Sequence, residues 1–349
     1  MLIDVDVLSG SGRFPADRTR AASAQPAELE TREAAPGAVL AAVEVTKAYG
    51  DRVAVDAVSL DLRAGECLGL LGPNGAGKTT TILMACGLLA PDSGTVTLGP
   101  HRLPATAPRA RRLIGYVPQE IALYDDLTAR ENLRFFARLY GLDRRAGRER
   151  VGEMLDFVDL AGRADDRVAT YSGGMKRRLN IAVALLHRPS VVLFDEPTVG
   201  VDPQSRNAIL ERLEQLRDDG VALLYSSHYM EEIERICTRI AIMDGGAILA
   251  EGTREQLLGR LGGESSRIRL DCSASPRDAV DEVSALRFVA GVQVQDRVLD
   301  VTAHDAPRAL PLILAVLAGH DIAVDRLSVE RPDLESAFLH LTGKALRDV

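Results

Sequence analysis

Apolar positions along this chain fall into two alternating patterns. Short unbroken runs such as Cys67–Leu71 and Val191–Phe194 have the length of strands buried on both faces, the kind found in parallel sheets. Val43-Glu44-Val45-Thr46 and Val53–Leu60 alternate instead, predicting half-buried strands around a turn at Tyr49–Arg52. Thr95–Leu98 and Ile114–Val117 add two further short strands. Between these lie stretches whose apolar residues return every three or four positions: Thr80–Cys86, Glu131–Leu139, Val151–Leu160 and the run beginning at Lys176. Helices over 203–218 and 229–237 then alternate with strands over 221–226, 239–243 and 247–250. Strands interleaved with helices in this way predict an α/β domain with a parallel sheet, interrupted by an inserted helical subdomain at about 120–187.

That domain is assigned residues 41–258. Before it, residues 1–40 are rich in Ala, Pro, Ser and mixed charge without sustained periodicity, and are read as a disordered extension. After it, Gly259–Ser266 has the composition of a linker. Residues 267–349 then run strand, helix, two strands, helix, strand, helix, predicting a small α+β accessory domain.

Composition narrows the function classes. The formal net charge of −8 argues against a body that binds nucleic acid, and the clusters Arg109–Arg112, Arg144–Arg150 and Lys176–Arg178 are read as solvated helix faces. The 4 cysteines have no metal-ligand spacing and are read as free thiols. No apolar run is long enough to span a bilayer, and the acidic N-terminus is no secretory signal, so the chain is read as soluble and cytosolic.

Three motifs carry chemistry. Gly72, Pro73, Asn74, Gly75, Ala76, Gly77, Lys78, Thr79 and Thr80 match G-x-x-x-x-G-K-[ST], between a predicted buried strand and a predicted helix. Glycines let such a loop turn its backbone N–H groups onto phosphate oxygens, Lys78 adds positive charge, and the Thr79 hydroxyl is placed to ligate Mg²⁺. The buried run ending at Phe194 delivers Asp195 and Glu196 to the same sheet edge, Asp195 toward Mg²⁺ and Glu196 toward an attacking water. Ser172, Gly173 and Gly174 open another helix, a second anion-binding terminus. A single phosphate loop with one separate terminus suits two copies paired head to tail.

Together these motifs resemble the ATP-binding subunits of ABC transporters. The resemblance spans about residues 42–252, with all motifs in the family's order. It implies a P-loop ATPase cassette: a parallel-sheet core, an antiparallel β subdomain and the helical subdomain. It implies ATP and Mg²⁺, with Asp195 and Glu196 as Walker B acid and catalytic glutamate, and Ser172-Gly173-Gly174 as the signature, here with Tyr171 and Met175 for the usual Leu and Gln. By the same match Gln119 is the Q-loop glutamine and a Mg²⁺ ligand, Asp202 lies in the D-loop, His228 is the switch histidine beside the γ-phosphate, and Tyr49 stacks on adenine. The partners implied are a second ATP-binding chain, as a homodimer, and a separate membrane permease that holds the chain at the cytoplasmic face of the membrane. Glu196-Pro-Thr-Val-Gly-Val-Asp-Pro, His228-Tyr-Met-Glu-Glu and the ending Leu334–Gly343 resemble the drug and antibiotic exporters of daunorubicin-resistance type. Sodium and polysaccharide exporters share these short stretches. A soluble cassette acting on nucleic acid or ribosomes carries two cassettes or a long coiled coil, and the interval from Lys78 to Ser172 is too short for the latter.

Overall fold

The protein is represented by a computed structural model, which describes residues 37–103, 110, 112–259, 266–330 and 334–342. The extension read at 1–40 therefore falls almost wholly outside the described residues, as do most of the linker, Arg109 and Arg111.

Three sheets organise what is described. The first is antiparallel: β1 (Leu40–Tyr49), β2 (Arg52–Leu62), β4 (Ser93–Leu98) and β5 (His101–Leu103), in the order β2-β1-β4-β5. The second is the central sheet. Its members are β3 (Cys67–Leu71), β6 (Ile114–Val117), β7 (Val191–Asp195), β8 (Ala222–Ser227), β9 (Arg239–Asp244) and β10 (Ala247–Gly252), in the order β10-β9-β3-β8-β7-β6. Every pairing from β9 to β6 is parallel, and only the edge strand β10 runs antiparallel.

Helices follow the strands. They are α1 (Lys78–Ala85), α2 (Ala129–Leu139), α3 (Arg144–Phe157), α4 (Gly173–Leu185), α5 (Pro203–Asp218), α6 (Met230–Ile236) and α7 (Arg254–Gly259). Local chemistry sets several of their starts. Thr128 and Glu131 form a reciprocal capping box on α2, Asp143 caps α3, and Asp202 followed by Pro203 opens α5.

Alternate residues of the central strands feed two cores. Leu68, Leu70, Val191, Leu193 and Leu224 face α1 and the antiparallel sheet, whereas Cys67, Leu71, Val192, Phe194 and Tyr225 face the helical layer. Both faces are thus covered, which is why these strands are apolar along most of their length. Cys67 and Cys237 bring their sulfurs within 3.7 Å on the helical side, and all four cysteines are free thiols.

The arginine clusters do more than coat helices. Arg177 is buried and donates to the carbonyls of Pro118 and Gln119, and Arg150 donates to the carbonyls of Leu185 and Leu186 at the end of α4. Reading both as solvated is corrected: a guanidinium with five donors satisfies loop and helix-end carbonyls that packing removes from water.

The third sheet, β12-β13-β11-β14, is built from β11 (Ser266–Cys272), β12 (Val289–Gln295), β13 (Val298–Ala303) and β14 (Val324–Glu330). It carries its own core with the short α8 (Val280–Ser284) and with α9 (Ala306–Gly319). The final helix α10 (Leu334–Thr342) does not join that core. Leu334 and Phe338 pack into the helical-side core beside the central sheet, with Ile233, Ile236 and Leu257 of α6 and α7. Replacing Phe338 with Ala is expected to destabilise the protein by about 3–5 kcal/mol, read as a lower midpoint in urea unfolding followed on the whole chain.

Candidate active site

Parallel pairing places the C-terminal ends of β3, β7 and β8 side by side, so the segments leaving them converge. From β3 the chain enters the glycine loop. Gly77 sits at φ 104, and a Cβ there would lie 2.5 Å from the Ala54 carbonyl, so only glycine closes this turn against β2. From that turn α1 starts at Lys78, with its first N–H groups directed at the loop.

Lys78 is buried. Its Nζ donates to the carbonyls of Gly72 (2.7 Å) and Pro73 (3.0 Å) and lies 3.1 Å from Glu196 Oε1. Thr79 turns the other way and donates from Oγ1 to Asp195 Oδ1 at 3.1 Å. Asp195 Oδ1 also accepts from Ser226 Oγ at 2.9 Å, and Ser226 Oγ in turn accepts from the backbone N–H of Glu196 at 3.0 Å. Ser226, at the end of β8, therefore fixes both acids of the β7 end. Glu196 needs such a clamp, because its φ of 45 is left-handed, a conformation that a residue with a side chain holds only when its surroundings impose it. Burial raises the Asp195 carboxyl above the usual carboxylate range, against the lowering effect of its bonds from Ser226 and Thr79.

His228 follows β8, with Nδ1 3.4 Å from Glu196 Oε2, within ion-pair range but out of hydrogen-bond alignment. Lys78, Thr79, Asp195, Glu196 and His228 thus form one connected cluster. A hydroxyl and a carboxylate oxygen side by side form the hard-oxygen donor set that suits Mg²⁺, and among the described residues no group of three or more His, Cys, Asp or Glu offers a self-sufficient metal site. The pair fits an ion that takes its remaining ligands from phosphate and water.

The other expected site residues are not in that cluster. Tyr49 is half exposed at the end of β1, paired across the hairpin with Arg52, whose guanidinium reaches the Gly75 carbonyl at 3.4 Å. Gln119 is exposed. Its backbone carbonyl is held by Arg177, and among the described residues its side chain has no hydrogen bond to Thr79 or Asp195. Ser172 is exposed as the N-cap of α4, accepting from Met175 N–H, and no hydrogen bond or ion pair among the described residues joins it to the glycine loop. Beside it Gly174 is buried against the start of α5. A Cβ there would meet Ser205 Oγ at 2.3 Å and Asp202 Oδ2 at 3.4 Å. Asp202 is also exposed and caps α5 through Ser205 N–H, a bond that lowers its carboxyl below the usual range.

Ser226 and Arg52 carry no motif of their own and escape sequence reasoning. Ser226 was nonetheless within reach, since it ends the strand predicted over 221–226, two residues before His228.

A glycine loop on a parallel sheet, with a buried lysine and paired acids from a strand one place removed, defines a P-loop nucleotide hydrolase. Residues 55–199 match the ABC transporter family. The chain is 46% identical over 312 residues to the linearmycin resistance ATP-binding protein LnrL of Bacillus subtilis, covering 89% of this chain and 100% of that protein. It is 41% identical over 313 residues to the Nod factor export ATP-binding protein I of Cupriavidus metallidurans, covering 89% of this chain and 99% of that one. Among solved structures, the ATP binding subunit of an ABC transporter aligns with a TM-score of 0.59 at 32% identity, over 64% of this chain and 93% of that chain. A dimeric ATP-binding cassette in a post-hydrolysis state with ADP and Pi aligns at 0.57 and 27%, over 61% and 98%. The chain belongs to the ABC transporter family as an ATP-binding subunit, and it is an ABC-type ATPase.

The raised Asp195 carboxyl makes a prediction with a definite sign. Folding favours its protonated form, so the ionised form costs stability above the carboxylate range, and the cost fades as pH falls through the raised value. Asp195→Asn keeps an oxygen for Thr79 and Ser226 and removes the charge. It is expected to raise the melting temperature near neutral pH by a few degrees, with the gain shrinking in acid, as read by differential scanning calorimetry.

Proposed function

We propose that this chain powers export of a hydrophobic small molecule, of drug or antibiotic type, through a separate membrane permease. In this reading it sits peripherally at the cytoplasmic face of the membrane and works as a head-to-tail pair. The supporting observation is the division of the site. The groups that handle a γ-phosphate and its water are gathered at one sheet edge, while the exposed Ser172 helix start lies apart from them beside Asp202. A second chain would bring its Ser172-Gly173-Gly174 to the first chain's glycine loop. The names of the relatives, an antibiotic resistance protein and an export protein, support the exporter reading. Among the described residues no helix is long and apolar enough to cross a membrane, which agrees with a separate permease.

The chemistry follows from the cluster. Mg²⁺, held by Thr79 and Asp195 and approached by Gln119, would neutralise phosphate charge when bound. Lys78 Nζ is shared between two loop carbonyls and Glu196. A γ-phosphate offers the ammonium a more highly charged partner, which releases the Glu196 carboxylate to take a proton from the attacking water. His228, on the other side of Glu196, would stabilise charge developing on the transferred group. Tyr49 is exposed and free to stack on adenine, with Arg52 bracing the loop beneath it.

Glu196→Gln is expected to bind ATP while losing turnover by about 10²–10⁴-fold, and to elute as a dimer when ATP is present. Normal turnover would overturn the role of Glu196. Mixing tests the pairing: Lys78→Ala and Ser172→Arg chains, each inactive alone, should regain activity together, because one of the two shared sites is then intact. Inactivity of the mixture would count against the head-to-tail arrangement.

A further inference from the structure

Behind the switch histidine lies a buried carboxylate that the proposed mechanism does not use. Glu232, in the first turn of α6, is 2% exposed. Its oxygens accept from Thr198 Oγ1 at 2.7 and 2.9 Å, from Tyr225 Oη at 2.8 Å and from Ser227 Oγ at 2.9 Å, and Arg206 Nε lies 3.3 Å away. Two carboxylate oxygens have about four lone-pair sites, so this acceptor capacity is nearly filled. Burial, and then the charge of Glu232, raise the Tyr225 phenol well above its usual range, so it stays a donor.

The donors come from segments that matter. Thr198 is two residues after Glu196. Ser227 directly precedes His228 and also accepts from the N–H of Tyr229 at 2.9 Å, so its hydroxyl spans the histidine. Arg206 stands one helical turn after Asp202, with its guanidinium 4.5 Å from the centre of the Tyr229 ring, which in turn lies 4.2 Å from the His228 ring. We propose that Glu232 is a positioning residue for ATP hydrolysis: it fixes the His228 loop relative to the Glu196 segment and ties both to α5, whose cap is Asp202. This rests on the roles given above to Glu196 and His228.

A purely structural carboxylate and a positioning one differ in how their loss combines with loss of His228. Single-turnover and steady-state ATP hydrolysis by the full chain would be compared for Glu232→Gln, His228→Ala and the double variant, with ATP affinity and melting temperature measured alongside. Glu232→Gln is expected to lower kcat on the order of tenfold with ATP affinity within about twofold, and to add less than about twofold to His228→Ala. If Glu232→Gln does not fold, Tyr225→Phe, which removes one donor and leaves the ring, should lower kcat about twofold to threefold in the parent and have no effect beside His228→Ala. Multiplicative losses, or an unchanged kcat in a folded Glu232→Gln chain, overturn this proposal alone. Normal turnover in His228→Ala overturns the role of His228 and this proposal with it.

Discussion

A lysine ammonium and a glutamate carboxylate face each other at 3.1 Å, both nearly out of solvent. Charges so placed are stable only if each has a partner and further hydrogen bonds, and losing one partner strands the other. Much of the architecture meets that condition. The glycine loop supplies two carbonyls to the ammonium, β8 supplies Ser226 to hold the Glu196 segment, and β7 carries the acid to this edge. The parallel register makes the convergence possible, since it aligns strand ends that are far apart in sequence.

The same condition bears on what a bound nucleotide would change. Lys78 divides its ammonium between two carbonyl oxygens and a carboxylate, and under the proposed mechanism a γ-phosphate would compete with Glu196 for it. A strained backbone at Glu196 suits such a competition, because its side chain is held by neighbours rather than by its own conformational preference.

Much of this was legible in the sequence. The runs Cys67–Leu71 and Ile114–Val117 are strands with the expected bounds, and 203–218 is a helix from end to end. Unbroken apolar runs and proline-initiated helices are governed locally, so pattern suffices. The cluster of Lys78, Thr79, Asp195 and Glu196 was legible because its spacing is fixed by strand and loop geometry. Less accessible were β5 and α7, which are short and weakly patterned, and the first helix expected within 267–349, which is a 3₁₀ turn at Arg277–Ala279 followed by the short α8. Arg177 and Glu232 were opaque for a different reason: their burial depends on which distant carbonyls and hydroxyls the tertiary fold brings to them.

The placement of α10 bears on how the protein is made. Leu334 and Phe338 belong to the cassette's helical-side core, yet the third sheet and its helices stand between them and the rest of that core in the chain. A ribosome delivers these two side chains well after Ile233, Ile236 and Leu257. The first two sheets can assemble early, but part of the apolar surface around Ile233 and Leu257 waits until the third sheet has emerged and the chain has doubled back. Contacts of such long sequence separation form slowly and leave surface open to chaperones in the interval. Synthesis therefore completes this core only after the third sheet has been made.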